Sequence, residues 1–222
     1  MAGLPYYRTI DGLPSTIPVF PLPGALLLPR GTLPLNIFEP RYVSMVEDAL
    51  KSDGRVIGMI QPDEEADDVG SAHCFAIGCA GRIIQFTETD DGRYLITLIG
   101  LARYRVAREL ALAAGAYRLV EADYTEFADD MKPVSATDLI ERTTLMAHLK
   151  QFFHKKQIEA DWDAIGKAND ETLVTALSMV CPFSPLEKQA LLEAGDFLER
   201  ASILSTLLEI GSREDDDSPV RQ

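Results

Sequence analysis

The run Ile17-Pro18-Val19-Phe20-Pro21-Leu22-Pro23-Gly24-Ala25-Leu26-Leu27-Leu28-Pro29-Arg30-Gly31, continued by Leu33-Pro34-Leu35-Asn36-Ile37-Phe38-Glu39-Pro40-Arg41-Tyr42, sets the architecture of the chain. Eight of the 13 prolines fall in the first 40 residues, and each proline fixes φ and withholds a backbone donor. Such a stretch is expected to be neither a long helix nor a central strand. It reads as short extended pieces, 17–20 and 33–37, joined by turns at 21–24 and 29–31. Two readings of its large apolar residues stay open. One is a strand edge blunted by proline; the other is a surface that holds Leu26, Leu27, Leu28 or Phe38 partly exposed for a hydrophobic partner.

Outward from this run the periodicity changes twice. Tyr42, Met45, Val46, Ala49 and Leu50 recur at helical spacing behind Pro40, which predicts a helix over 40–51. Short runs rich in Val, Ile, Tyr and Phe follow at 55–61, 74–85, 94–100, 104–109 and 117–124, with Asp90-Asp91-Gly92 as a hairpin turn. Strands so spaced, with one early helix, predict a mixed or antiparallel sheet curled into a small barrel. After Asp129-Asp130-Met131-Lys132-Pro133 the pattern turns helical. Ser135 with Asp138 resembles a capping box ahead of Leu139, Met146, Leu149, Phe152 and Phe153. A helix over 172–180 is ended by Cys181-Pro182, and Ser184, Pro185 and Glu187 supply the cap, first-turn proline and third-position acid of a helix to about 194. Gly195 stops it, and Asp196 with Glu199 opens the last helix, whose apolar face is Phe197, Ala201, Leu204, Leu207 and Leu208. The expectation is an α+β chain: a β-rich part over 1–128, a small helical bundle over 129–211, and a flexible acidic tail over 212–222 with Glu214-Asp215-Asp216-Asp217.

With 222 residues, 46% of them hydrophobic, the chain can bury a sizeable core. Lys and Arg number 21 against 35 Asp and Glu, a net charge of −14, so phosphate backbones are on balance repelled and no nucleic-acid partner is expected. The apolar run Ala25-Leu26-Leu27-Leu28 is far shorter than the roughly 20 residues of a bilayer span. Met1-Ala2-Gly3-Leu4-Pro5-Tyr6-Tyr7-Arg8 lacks the basic and apolar regions of a secretory signal. Cys74, Cys79 and Cys181 are an odd number, which argues for a reducing compartment. A cytoplasmic protein without a membrane segment is the expectation.

Motifs for chemistry are largely missing. Gly166-Lys167 is followed by Ala168 where a P-loop needs Ser or Thr, and Asp161 stands where its first glycine belongs. Neither Gly-x-Ser-x-Gly nor Gly-x-Gly-x-x-Gly occurs. His73, Cys74 and Cys79 have the right atoms for zinc, but a closed site needs a fourth ligand, and cysteine in a strand is commonly a small buried hydrophobe. A thiol nucleophile with His73 as base likewise lacks a third, orienting group. His148 and His154, six apart on one predicted helix, lie about 240° from each other and cannot share a ligand. Glu64-Glu65 and Asp67-Asp68 read as solvated charge in a polar loop. No cofactor, metal or catalytic set is expected.

The proline-rich run resembles the opening of the amino-terminal, substrate-recognition domain of Lon proteases. Further points of similarity are Ile57-Gly58-Met59-Ile60, Gly78-Cys79-Ala80-Gly81-Arg82-Ile83, Gly100-Leu101-Ala102-Arg103-Tyr104 and Pro182-Phe183-Ser184-Pro185-Leu186-Glu187-Lys188-Gln189, and the likeness covers about residues 16–210. The resemblance implies a PUA-like mixed β pseudo-barrel followed by a helical bundle. It also implies binding of damaged or unfolded proteins, which the full-length family delivers to an ATPase ring and a Ser-Lys peptidase. This sequence departs from that pattern in having no P-loop and no Pro-x-Asp-Gly-Pro-Ser run, and it lacks the paired Cys-x-x-Cys ligands of a related module in ubiquitin-ligase receptors.

The reading reached from sequence is a non-catalytic binder of unfolded or specific protein segments, acting alone or as an adaptor for a protease. Its expected partner surface comprises Leu26, Leu27, Leu28, Phe38, Arg41 and Tyr42. One rival is a PUA-like RNA or nucleotide binder using Arg103, Arg105 and Arg108, the first two of which alternation puts on one side of a strand. Another is a thiol enzyme using Cys74, Cys79 or His73.

Overall fold

The structure, a computed structural model, describes residues 9–63, 73–134 and 140–213. The chain divides into two compact units, Met1–Pro133 and Val134–Gln222.

In the first unit a 3-10 turn at Ile10–Gly12 leads into β1 (Thr16–Pro21), followed by β2 (Thr32–Ile37), helix α1 (Pro40–Lys51), β3 (Val56–Ile60), the two-residue strands β4 (Pro62–Asp63) and β5 (His73–Cys74), then β6 (Ile77–Glu88), β7 (Tyr94–Glu109) and β8 (Arg118–Asp123). The main sheet runs β2-β7-β6-β3-β1-β8, and β7 also pairs with β8, which closes it into a barrel. Only β1 and β3 are parallel; the other neighbours are antiparallel. Ile17, Val19, Val56, Ala80, Leu101, Ala102, Tyr104 and Val120 fill the interior. Hydrophobic burial there supplies the main driving force.

Three expectations are corrected here. β1 contains Pro18 and Pro21 yet lies inside the sheet between β3 and β8. Pro18 is in register with Leu119 of β8 but precedes the pairing with β3, which begins at Val19, and Pro21 is the last residue of the strand. The runs 94–100 and 104–109 are one 16-residue strand, β7. Leu101 and Ala102 between them are buried in the barrel, and a register shift at Ala80/Gly81 bends the ladder without breaking it. Residues 129–133, expected with the helices, belong to the first unit, because a 3-10 segment at Thr125–Met131 is clamped to β7 by Asp130.

The first helix has the span its periodicity predicts, with Pro40 in the first turn and Tyr42, Met45, Val46 and Ala49 buried. The turn at Asp90-Asp91-Gly92 connects β6 to β7, with Gly92 at φ 78, a left-handed conformation that glycine adopts without strain.

The second unit holds α2 (Arg142–Lys155), α3 (Trp162–Lys167), α4 (Asp170–Val180), α5 (Pro185–Glu193) and α6 (Phe197–Arg213). The α5 start is the capping box read from sequence: the Glu187 amide donates to the Ser184 hydroxyl, and the Glu187 carboxylate accepts from the Ser184 amide. Gly195 and Asp196 also act as read, since Glu199 accepts from the Gly195 amide and its own amide donates to Asp196. α6 packs against α2, α4 and α5 and is helical to Arg213, into the span assigned to the tail. The capping box at Ser135 and Asp138, the loop acids at 64–68 and the acidic tail from 214 lie outside the described residues.

Candidate functional site

The segment between β1 and β2 decides where partner-binding residues can lie. Leu26, Leu27 and Leu28 are all at most 2% exposed, so the exposure expected of them is corrected: they are core residues. An irregular segment can be buried only when its backbone polar groups find partners, and here they do. The Leu22 amide donates to the Ile60 carbonyl, the Gly24 amide to the Gln61 side-chain oxygen, and the Arg30 amide to the Gly100 carbonyl. Gln61, itself buried, had no motif to mark it. Gly100 is required by close approach, since a Cβ there would lie 2.0 Å from the Leu28 carbonyl oxygen.

The other candidates divide. Tyr42 is buried with its ring 4.3 Å from that of Phe20, and burial raises its phenol pKa. Arg41 is exposed, pairs with Glu39 at 2.9 Å and lies 4.6 Å over the Tyr42 ring. Phe38 is 63% exposed.

Phe38 stands at one end of a larger surface. Residues directly opposite each other in a ladder share a face. Register therefore puts Leu95, Thr97 and Ile99 of β7 beside Asn36, Pro34 and Thr32 of β2, and beside Thr87 and Gln85 of β6. Thr97 Oγ1 donates to Gln85 Oε1 at 2.9 Å across this face. Ile84, the extra residue at the Ile83/Gln85 register shift, is 50% exposed, and Leu95 is 45% exposed. The Arg93 guanidinium lies 6.0 Å from the Phe38 ring and pairs with Asp91. None of the strand residues on this face is a carboxylate, in a chain of 35 acidic residues. The depression over it is shallow and open, a shape suited to a polypeptide rather than an enclosed small molecule.

The remaining chemistry is engaged structurally. Arg103 holds Asp130 through two bonds of 2.9 and 2.8 Å, both side chains being buried, and stacks over Phe127 at 4.6 Å. Arg105 pairs with Glu126 and Arg108 with Glu121. The three arginines of the RNA reading are thus neutralised by carboxylates. Cys79 is buried in the barrel, whereas Cys74 on β5 accepts from Arg118 at 3.2 Å, and burial raises its thiol pKa against the opposing pull of Arg118. Among the described residues no group of three His, Cys, Asp or Glu could hold a metal. His148 contacts Ser205, tying α2 to α6. A cleft beside the end of α1 contains Asp48, Arg82 and Tyr117. There the Tyr117 hydroxyl donates to Asp48 at 2.9 Å and Arg82 donates to the Gly54 carbonyl. Burial and the Asp48 bond push Tyr117 up to about 12.

This barrel, with a sheet face that lacks strand carboxylates and a helical second unit, is of a known class. The profile of the ATP-dependent protease La (LON) substrate-binding domain matches residues 16–209, and the chain belongs to that family. Among its relatives, "Lon protease 2" of Myxococcus xanthus is 31% identical over 43% of this chain and 12% of its own length. "Lon protease" of Escherichia coli K12 is 24% identical over 87% of this chain and 24% of its own length. The chain thus spans a quarter or less of these relatives. Two solved structures share the fold. A Lon N-terminal domain protein from Xanthomonas campestris has a TM-score of 0.58 at 22% identity, covering 86% of this chain and 97% of that one. The N-terminal domain of the Mycobacterium avium complex Lon protease has a TM-score of 0.61 at 17% identity, covering 87% and 97%.

Proposed function

We propose that this protein is a non-catalytic module that binds unfolded or specific protein segments and acts in the cytoplasm, alone or as an adaptor that presents clients to an ATP-dependent protease. The observation that carries this reading is the exposed face of β2, β7 and β6, where Phe38, Leu95 and Ile84 meet solvent without a neighbouring strand carboxylate. Water released from such a patch drives association with apolar side chains, and a few central anchors hold most of the energy. Membership of the LON substrate-binding domain family supports a polypeptide as the ligand. Arg41, exposed beside Phe38, belongs to the rim of this surface.

The test is fluorescence anisotropy with a labelled, permanently unfolded polypeptide, comparing the parent protein with a Phe38→Ser/Leu95→Ser double variant. The parent binds, and the variant, folded by circular dichroism, binds about tenfold more weakly, since one exposed anchor is worth on the order of 1 kcal/mol. Equal binding by both removes the face from the account, and no binding by the parent removes the function.

A further inference from the structure

The opposite face of the same hairpin carries a different chemistry. Phe86 is opposite Ile96, and Glu88 is opposite Tyr94, so Phe86, Glu88 and Tyr94 share the side that faces α1. Phe86 is 40% exposed and its ring meets that of Tyr94 edge-on at 4.9 Å. The Tyr94 hydroxyl donates to Glu47 of α1 at 3.0 Å. The Tyr94 phenol is raised in pKa first by that bond, then by desolvation, with the charges of Glu47 and Glu88 adding to it, and register sets Glu88 directly across the ladder from Tyr94. Both glutamates are exposed, and among the described residues neither forms an ion pair. Eight other carboxylates of this unit, Glu39, Asp48, Asp91, Glu109, Glu121, Glu126, Asp129 and Asp130, are paired, whereas Asp11, Asp53, Asp90 and Asp123 are likewise outside any ion pair among the described residues.

Two carboxylates outside any ion pair, flanking a partly exposed Phe86 backed by the buried Tyr94 ring, are complementary to one kind of group, a cation on an apolar stem. Lys and Arg bury their methylene stems on a ring while the charge meets carboxylates or the ring face. We propose that the Glu47, Glu88, Phe86 and Tyr94 side of the β6–β7 hairpin receives a Lys or Arg side chain of the bound protein segment. The bound segment is then apolar with an adjacent basic residue: its apolar part covers the Leu95 face, and its cation reaches the Glu47–Glu88 side. This rests on the proposed function and specifies its ligand.

The experiment uses the full chain and three labelled synthetic peptides with one apolar sequence, flanked by Lys, by Ser or by Glu. The Lys peptide binds about fivefold more tightly than the Ser peptide, the scale of one or two partly exposed ion pairs. That advantage disappears in Glu47→Gln/Glu88→Gln, in which glutamine still accepts from Tyr94, while Ser-peptide binding is unchanged. A Glu159→Gln/Asp163→Asn control, with the same charge removed from exposed positions of the second unit, keeps the advantage. Loss of the advantage in both double variants assigns it to overall charge and overturns the proposal. Equal binding of all three peptides overturns it too and leaves the protein-binding function standing. Failure of every peptide to bind the parent sinks both. A dimer seen by light scattering that Glu47→Gln/Glu88→Gln dissociates would give the surface to a second copy, again against the proposal.

Discussion

At Gly100 the Leu28 carbonyl oxygen occupies the place where a side chain would begin, so Gly100→Ala must displace backbone. The expected loss is about 2 kcal/mol or more, measured by urea unfolding. Arg103 and Asp130 give a second residue-level prediction. Asp130→Ala leaves a buried guanidinium without its carboxylate and should cost about 3–5 kcal/mol, whereas Arg103→Met/Asp130→Leu, which removes both charges, should cost markedly less. Equal losses would show that the pair does not behave as a buried ion pair. The thiols are a third case. Burial pushes Cys181 up to about 12 and raises Cys74. Near neutral pH alkylation of the folded protein should be slow, with partly exposed Cys74 ahead of buried Cys79 and Cys181, and all three should react in denaturant. At this scale the sequence was least informative about the site. Exposure of Phe38 and burial of Leu28 look alike in a string of apolar letters. What separates them is where the backbone finds distant partners, Leu22 at Ile60, Gly24 at Gln61 and Arg30 at Gly100, and no local pattern signals those bonds.

Elements were far more legible. The α1 span, the hairpin turn at Asp90-Asp91-Gly92 and the Ser184-Pro185-Leu186-Glu187 cap all follow from local rules that tertiary packing did not override. Ser184→Ala should therefore lower stability of the helical unit by about 1 kcal/mol, seen as a fall of several degrees in thermal unfolding. The strand errors share one cause. Whether a proline-bearing run is central, or two runs join, depends on register with distant strands, as for Pro18 against β8 and Gly100 against β6. The link between α1 and β8 is Tyr117 to Asp48, and it has a pH signature. The Tyr117 phenol, raised to about 12 from an ordinary value near 10, stabilises the fold fully below pH about 10, and that contribution is lost as pH rises through about 12. Asp48, lowered by Lys51 first and Tyr117 second, contributes above the ordinary carboxylate range and loses that contribution as pH falls through its folded value. Tyr117→Phe should abolish the alkaline effect in stability–pH curves; an unchanged alkaline limb would reject this assignment.

For the whole molecule the balance of charge and surface agrees with the proposed binding of protein segments. A net charge of −14 disfavours polyanions, the arginines of β7 are committed to carboxylates, and among the described residues no helix is long and apolar enough to cross a membrane. Against that background the β2–β7–β6 face is an exposed apolar surface without strand carboxylates, on a fold shared with Lon N-terminal domains. The most direct test of the central claim is hydrogen–deuterium exchange with and without a saturating, permanently unfolded polypeptide. The account predicts slowed exchange in β2, the β6–β7 hairpin and the start of α1, with the helical unit unchanged. Protection confined to the helical unit, or none despite demonstrated binding, would contradict it.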